Sequence, residues 1–389
     1  MRVAVWDCVR LAARLTQALA AFAFSFPRLL LYAVQLGTAL CRQGWRWLLM
    51  TARLVLFGIS LGPVIVRVAV TLATSRFVRT NLRYGPGFRQ AVDVYHPDGW
   101  SDVDGSQRQR YPVIMLVPGG MWTIGYKAWN ALLAWFLSRR GFVVVSVDYT
   151  NYPQGRISDM LHDIDVAITW VRNNIHAYGG DSNSVCVLGQ SAGAHLVSLL
   201  LLQQARNGST HRLHRVKAFV GLSGAFDVDG CLDWWHARGF YRSIVGSIFS
   251  HRVAQHSPVR IALDHLTEEQ AQLLPPFVLL HGDADQCVPV DSMLRFRDAL
   301  SSKGVSVRAK TYNDGTHTSP FLEDLIAGRH ILVDDIVQVM RRHANTSASG
   351  GYSSDSDSEL APKPLGRKLD RRALAPAWLV RLSRRINPF

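Results

Sequence analysis

The fold is decided by residues 185–195, which read VCVLGQSAGAH. A β-branched run enters the pattern Gly-x-Ser-x-Gly, and a leucine-rich run at 196–202 follows, so the sequence predicts strand, sharp turn and helix. This context is typical of a nucleophile elbow, whose flanking glycines avoid collisions with the neighbouring strand and helix. Ser191 is therefore a candidate nucleophile, and the Ala192 N–H a candidate oxyanion donor. Because the pattern alone is common, a chance match is the alternative.

Strand and helix patterns alternate on both sides of this elbow, from residue 84 to 342. Apolar, β-branched runs predict strands at 91–95, 113–117, 142–148, 216–222, 277–280 and 305–311. Helical patterns lie at 127–139, 157–175, 291–302 and 329–342. The alternation predicts the α/β class, with a mostly parallel sheet covered by helices on both faces. An irregular, aromatic section at 225–274 predicts a small cap on this catalytic domain.

The positive charge is concentrated at the two ends of the chain. The net charge is +14, but residues 1–83 hold eleven arginines against one acid, and residues 363–389 hold eight lysines and arginines against one acid. The central region is therefore not basic and carries no electrostatic footprint for nucleic acid. The basic ends suit anionic membrane lipid instead.

The N-terminal segment, 1–78, is apolar but punctuated by arginines. Its longest uncharged runs have thirteen residues, fewer than the roughly 18–20 of an unambiguous membrane span. With about 100° per residue, two hydrophobic helices broken near Gly44 would each carry a cationic stripe. The stripe residues are Arg10, Arg14, Arg28, Arg42, Arg46, Arg53 and Arg67. We expect helices in the headgroup plane or inserted as a hairpin, and a transit peptide is the alternative.

The sequence changes character twice after the last helix. Residues 345–362 are rich in Ser, Gly and Asp, which predicts a disordered linker. Residues 363–389 combine basic side chains with Leu, Trp and Val, which predicts a short amphipathic tail and a second membrane contact. The five cysteines are scattered and lack Cys-x-x-Cys spacing, which favours a reducing compartment or free buried thiols. No metal-ligand spacing is present, and no metal or cofactor is expected.

A serine nucleophile needs a base and an acid that orients the base, and in this fold both follow the late strands. The loop after the second-to-last predicted strand contains Asp283 and Asp285, and the loop after the last contains His317. Both loops open at the carboxyl edge of the sheet, where the elbow also lies. We assign Asp285 as the acid and His317 as the base, with Asp283 as the competing acid. His195, on the helix after the elbow, is expected to be a packing residue.

The remaining oxyanion donors should come from the loop after strand 113–117, where a Gly-Gly pair lets the backbone approach a substrate. The candidates for oxyanion and substrate contacts are Gly119, Gly120, Met121, Gln190 and Ala192. Trp122 and Tyr149 are expected to line the acyl or leaving-group pocket, and plain core packing is the alternative for both.

Several separate motifs resemble one known family. Residues 84–342 are similar to the α/β-hydrolase fold in its hormone-sensitive-lipase-like branch, although Pro118 and Met121 replace the histidine and third glycine of that branch's His-Gly-Gly-Gly. The isoprenylcysteine α-carbonyl methylesterases of plants resemble the chain more closely, although Thr150 stands where they usually have Arg. The motifs that carry this resemblance are VPGGMW at 117–122, IGYKAW at 124–129, DYTNYPQG at 148–155, ISDM at 157–160, GQSAGAH at 189–195 and RGFYRSI at 238–244.

The resemblance implies a serine hydrolase that removes the methyl ester from S-prenylated C-terminal cysteine. Its partners would be prenylated protein C-termini or prenylcysteine methyl esters, together with membrane lipid. Members of that family are membrane-associated through an N-terminal region, which implies an endoplasmic reticulum or Golgi membrane with the catalytic domain facing the cytosol. An organelle-targeted protein is the alternative location. A general carboxylesterase, an arylformamidase and an inactive membrane-bound binding module are the alternative functions.

Overall fold

The computed structural model describes residues 27–38 apart from Leu29, Cys41, and residues 45–100, 110–209, 216–344 and 373–387. The predicted linker at 345–362 lies outside the described residues, as do the break near Gly44 and three stripe residues, Arg10, Arg14 and Arg42. The described strands are β1 Val78–Arg83, β2 Ala91–Tyr95, β3 Tyr111–Val117, β4 Val143–Val147, β5 Gly180–Gln190, β6 Ala218–Leu222, β7 Phe277–Gly282 and β8 Val307–Tyr312. They form one sheet in the order β1-β2-β4-β3-β5-β6-β7-β8.

The sheet is parallel except at one edge. Strands β3 to β8 pair in parallel, whereas β2 pairs antiparallel with β4 and β1 antiparallel with β2. Strands β4, β6 and β7 are buried at every position, because helices cover both faces. The α/β-hydrolase fold with a mostly parallel sheet is therefore confirmed. Strand β1 was not predicted, because its sequence VRTNLR lacks apolar alternation. The sheet therefore starts before residue 84, where the predicted alternation of strands and helices begins.

Helices form a layer on each face of the sheet. Their bounds are α1 30–38, α2 Arg46–Thr74, α3 Ala131–Ser138, α4 Ile157–Asn174, α5 Ala192–Arg206, α6 Leu232–Ala237, α7 Arg242–Ile248, α8 Glu268–Ala271, α9 Val290–Ser301, α10 Glu323–Ile326, α11 Ile331–Ala344 and α12 Ala377–Ile386. Shorter helical turns lie at Lys127–Asn130, Ile175–Tyr178, Ala254–His256, Pro258–Arg260 and Ile261–His265. One apolar core packs α4, α5, α9 and the cap against the sheet, and the other packs α2, α3 and α11 against the opposite face.

The cap lies between β6 and β7 and is fastened to the loop that follows β7. The Trp235 indole of α6 donates to the Cys287 carbonyl oxygen at 2.8 Å, and the Trp234 indole donates to the Gln286 carbonyl oxygen at 3.1 Å. Trp235 and Phe249 are buried, and both rings pack edge-on against Trp122. The cap is thus joined to the loop that carries the predicted acid.

Helix α2 lies along the catalytic domain. It has 29 residues and is long and apolar enough to cross a membrane by length and composition. Phe57, Leu61 and Val64 on one face are buried in the apolar core that also contains residues of α3 and α11, whereas Ile59 and Val66 on another face are exposed. The helix therefore presents one apolar face to the protein and another to its surroundings.

The C-terminal helix α12 packs on α2 and on the end of the domain. Val380 and Ser383 of α12 are buried, whereas Trp378 is exposed. The Arg53 guanidinium of α2 donates to the Asn387 carbonyl oxygen at 3.0 Å, which satisfies a carbonyl at the end of α12. The Asn387 side chain in turn donates to Thr318 Oγ1 at 2.7 Å. The predicted membrane tail thus has one face on the protein.

Candidate active site

The elbow forms where β5 ends at Gln190 and α5 begins at Ala192. Ser191 lies between them with φ 53° and ψ −119°, a backbone conformation that residues with side chains rarely adopt. A Cβ atom on Gly193 would lie 2.3 Å from the Val117 carbonyl oxygen, so this position requires glycine. The backbone geometry of an elbow is therefore present around Ser191, at the carboxyl edge of the sheet.

The acid and base that the sequence predicted are in direct contact. His317 Nδ1 lies 2.7 Å from Asp285 Oδ2, and both side chains are buried. The other carboxylate oxygen of Asp285 accepts the N–H groups of Cys287 at 2.8 Å and Val288 at 2.9 Å, which fixes the carboxylate plane. Asp283, the competing acid, is exposed. Of the two carboxylates, the structure thus brings Asp285 to the histidine.

This contact shifts the pKa of both groups. Burial raises the pKa of the Asp285 carboxyl, but the His317 and His281 rings outweigh that effect and hold the pKa well below its usual range. Burial lowers the pKa of His317, but the Asp285 carboxylate outweighs that effect and holds the pKa well above its usual range. The carboxylate can therefore stabilise the imidazolium that forms when a histidine takes a proton from a nucleophile.

A second histidine contacts the same carboxylate. His281 is fully buried in β7, and its Nε2 lies 3.1 Å from Asp285 Oδ2 and 2.9 Å from the Val288 carbonyl oxygen. An N–H at Nε2 can donate to both oxygens and so holds the acid loop against the strand. This contact of His281 was not predicted from the sequence. The available signal was a histidine four residues before an aspartate at the end of an apolar run.

The loop after β3, residues 118–126, is the oxyanion loop and lies against the nucleophile. A Cβ on Gly119 would lie 2.7 Å from Ser191 Cβ, and a Cβ on Gly120, at φ +123°, would lie 2.5 Å from the Gly125 nitrogen. The glycine pair thus permits a close backbone approach. Within the described chain, the N–H groups of Gly120 and Met121 donate to no backbone carbonyl oxygen. The loop's own backbone therefore does not use these two N–H groups, and their role as oxyanion donors stays a prediction.

Gln190 links the oxyanion loop to the base. Its Oε1 accepts the Gly119 N–H at 3.1 Å, and its Nε2 lies 3.3 Å from His317 Nε2. The side chain is buried next to the elbow. A residue predicted to contact substrate is thus, in this structure, a bridge between two parts of the site.

The two predicted pocket aromatics, Trp122 and Tyr149, are buried in the core at 1% and 0% exposure. The Tyr149 hydroxyl donates to the Pro118 carbonyl oxygen at 3.0 Å, which supports the oxyanion loop from behind. The Trp122 indole donates to His195 Nδ1 at 3.2 Å, and burial lowers the pKa of His195 to about 3. His195 therefore packs as a neutral ring. Core packing describes both aromatics here, and their contact with substrate stays a prediction.

Two cavities lie at the junction of α2 with the catalytic domain. The larger, about 470 Å³, lies between α1, α2, the oxyanion loop, residues 151–154 and the cap. The smaller, about 360 Å³, is lined in part by Arg46, Arg53 and Arg238, with Gln286 of the acid loop. Among the residues that the structure describes, no group of three or more His, Cys, Asp or Glu side chains is placed to hold a metal ion.

This arrangement can perform acyl transfer. Nucleophilic ester cleavage needs a serine on a strained turn, a histidine oriented by a carboxylate, and N–H donors beside the serine. The chain brings all three to one edge of the sheet, where β5, β7 and β8 end. The geometry thus favours hydrolysis of an ester or a related carbonyl compound.

Comparisons with known proteins agree with this chemistry. The sequence profile of the BD-FAE family matches residues 92–300. The isoprenylcysteine α-carbonyl methylesterase of Arabidopsis thaliana is 38% identical over 354 residues, which cover 89% of this chain and 78% of that protein. A probable isoprenylcysteine α-carbonyl methylesterase of Oryza sativa subsp. japonica is 37% identical, with 89% and 80% covered. A propionate-bound esterase of Thermogutta terrifontis shares the fold, with a TM-score of 0.51 at 18% identity, covering 71% of this chain and 97% of that chain.

Proposed function

The chain belongs to the BD-FAE family of α/β hydrolases and is a carboxylic ester hydrolase, and we propose that its substrate is the methyl ester of an S-prenylated C-terminal cysteine. The chain is similar to the isoprenylcysteine α-carbonyl methylesterases. The products are methanol and the free carboxylate. The 38% identity over 89% of the chain supports this substrate, because it extends well beyond the elbow.

In the proposed mechanism Ser191 attacks the ester carbonyl, and His317 takes the serine proton. Asp285 orients His317 and stabilises its charged form. The oxyanion is held by the N–H groups of Gly120, Met121 and Ala192. Methanol leaves with the proton from His317, and water then cleaves the acyl-enzyme and restores the serine. The observation that carries this mechanism is the buried 2.7 Å contact between Asp285 and His317 at the edge where the elbow lies.

The prenyl chain supplies binding energy that the ester group alone lacks. Each buried CH₂ contributes roughly 0.8 kcal/mol, so a farnesyl or geranylgeranyl chain can position the carbonyl at the serine. An ester without the chain should therefore lose both affinity and turnover.

We also propose that the protein is membrane-associated through α2. The exposed face of that helix carries Val55, Leu56, Ile59 and Val66, which no described part of the chain covers. A prenylated substrate is itself held at a membrane, so enzyme and substrate would meet there. The family resemblance favours an endoplasmic reticulum or Golgi membrane with the catalytic domain in the cytosol.

The first prediction tests the reaction. Full-length protein in detergent should release methanol from S-farnesylcysteine methyl ester with kcat/KM at least about 100-fold above that for N-acetylcysteine methyl ester. Ser191→Ala should abolish both activities. Ser198→Ala is the matched control, because Ser198 is equally buried on α5 and its hydroxyl donates to the His195 carbonyl oxygen.

Two results would replace the proposed substrate. Equal efficiency on the two methyl esters would assign a general carboxylesterase. Faster hydrolysis of an N-formyl aryl amine would assign an arylformamidase. Unchanged turnover by Ser191→Ala, or no turnover of any activated ester by the wild type, would end the serine-esterase mechanism.

A further inference from the structure

The larger cavity lies beside the oxyanion loop and has a mostly apolar wall. Its volume of about 470 Å³ falls within the roughly 300–1,000 Å³ of small-molecule sites. Its apolar wall residues include Leu36 of α1, Leu54 of α2, Met121 and Ile124 of the oxyanion loop, and Phe240 of the cap. A wall of this composition favours a hydrocarbon ligand.

The cap and α2 close one side of this cavity together. A Cβ on Gly239 would lie 2.9 Å from the Trp47 nitrogen, so the cap backbone packs directly on the helix. The Arg46 N–H donates to the Tyr241 hydroxyl at 3.2 Å. Gly239 and Tyr241 belong to the cap run at 238–244. These contacts make the first turns of α2 a wall of the cavity.

Met121 connects the cavity to the chemistry. It lines the cavity and follows Gly120, and the N–H groups of both are proposed oxyanion donors. The loop is held in place because Asn151 Nδ2 donates to the Gly125 carbonyl oxygen at 2.7 Å, and both of these residues also line the cavity. A substrate whose carbonyl oxygen meets the donors can therefore extend an apolar chain between the loop and α2.

The charge of the wall favours a neutral ligand. Among the described residues that line the cavity, Arg89 is the one charged side chain. Its Nη2 lies 2.9 Å from Asp148 Oδ1, and its Nε donates to the Tyr149 carbonyl oxygen at 3.2 Å. Because this guanidinium is already paired with a buried carboxylate, it offers an anionic ligand little.

We propose that this cavity holds the isoprenoid chain of the substrate, so that α1 and α2 are part of the substrate site as well as a membrane contact. The inference rests on the proposed function and adds the place where the chain binds. Leu54 lines the cavity, and the residues that follow it, Val55 and Leu56, are exposed on the apolar face. A chain dissolved in lipid can thus enter along α2 without crossing water.

The second prediction fills the cavity. Gly37 lines it, and a Cβ there would meet no atom within 4 Å, so Gly37→Phe adds volume without displacing the backbone. We expect the ratio of kcat/KM for S-farnesylcysteine methyl ester to kcat/KM for N-acetylcysteine methyl ester to fall at least about tenfold. Gly58→Phe is the matched control. Gly58 also has open space at its Cβ but lies on α2 away from the cavity, so neither rate should change.

A direct measurement complements the variants. A farnesylcysteine methyl ester analogue with a photoreactive group at the far end of the chain is cross-linked to the wild type, and the labelled peptides are mapped. Labels within 32–37, 47–54, 121–126 or 151–154, or at 239–240, support the inference, and labels confined to other segments overturn it. This result does not depend on how any variant folds.

The outcomes separate this inference from the proposed function. If the wild type prefers the farnesyl ester and Gly37→Phe keeps that preference, the cavity assignment fails and the substrate stands. If the wild type shows no preference for the farnesyl ester, the substrate fails first. If straight-chain S-alkyl esters gain as much as farnesyl, the cavity accepts lipid tails in general, and the isoprenoid assignment is overturned.

Discussion

One carboxylate in the site contacts two histidines. Asp285 Oδ2 contacts both His317 and His281, and both rings are buried with it. The sequence could predict the two loops, because strand ends and chain order identify them. Asp285 was assigned as the acid, but Asp283 stayed a competitor, since the loop conformation determines which carboxylate is buried. The contact of His281 was not predicted either, because a histidine four residues before an aspartate does not show where the loop folds back on β7.

The third prediction concerns the acid and the pH dependence. Because the pKa of His317 is raised, kcat/KM of the wild type should increase with pH along a limb above 6.5, as the histidine loses its proton. Asp285→Asn removes the charge that raises this pKa and leaves burial, which lowers it. We expect kcat to fall about 10⁴-fold and the limb of the residual activity to move to lower pH.

The pH–rate profile with a soluble activated ester measures this effect. Asp283→Asn, on the same loop, is the control and should leave kcat within about twofold of the wild type, because its carboxylate is exposed. A larger loss in Asp283→Asn than in Asp285→Asn would reassign the acid. An unmoved limb would mean that another group sets the histidine's pKa.

Among the elements, α2 differs most from its prediction. The sequence predicted its apolar residues and its cationic stripe. Because the helix is apolar on most sides, the sequence could not predict which face packs against protein. In the structure Phe57, Leu61 and Val64 enter the core, and the stripe residue Arg53 caps α12. The stripe residue Arg28 lies 4.9 Å above the Phe88 ring. These arginines thus meet protein partners.

The fourth prediction tests whether α2 belongs to the folded domain. Leu61 is 1% exposed, so Leu61→Ala should lower the free energy of unfolding by about 2–5 kcal/mol through lost burial and a cavity. Ile65, one turn further on and 48% exposed, is the matched control, and Ile65→Ala should cost less than about 1 kcal/mol. Chemical unfolding in detergent, followed by intrinsic tryptophan fluorescence, measures both. Equal, small losses would show that α2 is a detached anchor.

For the whole molecule, the sheet and its two helical layers were predictable because β-branched runs and helical patterns alternate. The docking of α12 on α2 was not predictable, because neither segment carries a sequence signal that identifies the other as its partner. This docking leaves one face of α2 on the domain from Leu54 to Leu72. We therefore expect this helix to lie in the membrane surface rather than across it.

The fifth prediction follows from that orientation. Alkaline carbonate should release the full-length protein from membranes, because only the exposed face of α2 enters lipid. Ile59→Asp should weaken membrane binding further, since Ile59 is 67% exposed on that face, and should leave hydrolysis of a soluble ester unchanged. Sedimentation with vesicles measures both. A wild type that resists carbonate would show that α2 crosses the bilayer.

The bond between Arg53 and the Asn387 carbonyl joins residues 334 positions apart. At 5–20 residues per second, a ribosome makes the second partner roughly 20–70 s after the first. Throughout that interval α2 exists without α12, so the apolar surface that α12 covers in the finished protein stays exposed. Docking of α12 on α2 therefore follows synthesis of the catalytic domain that lies between them in the chain.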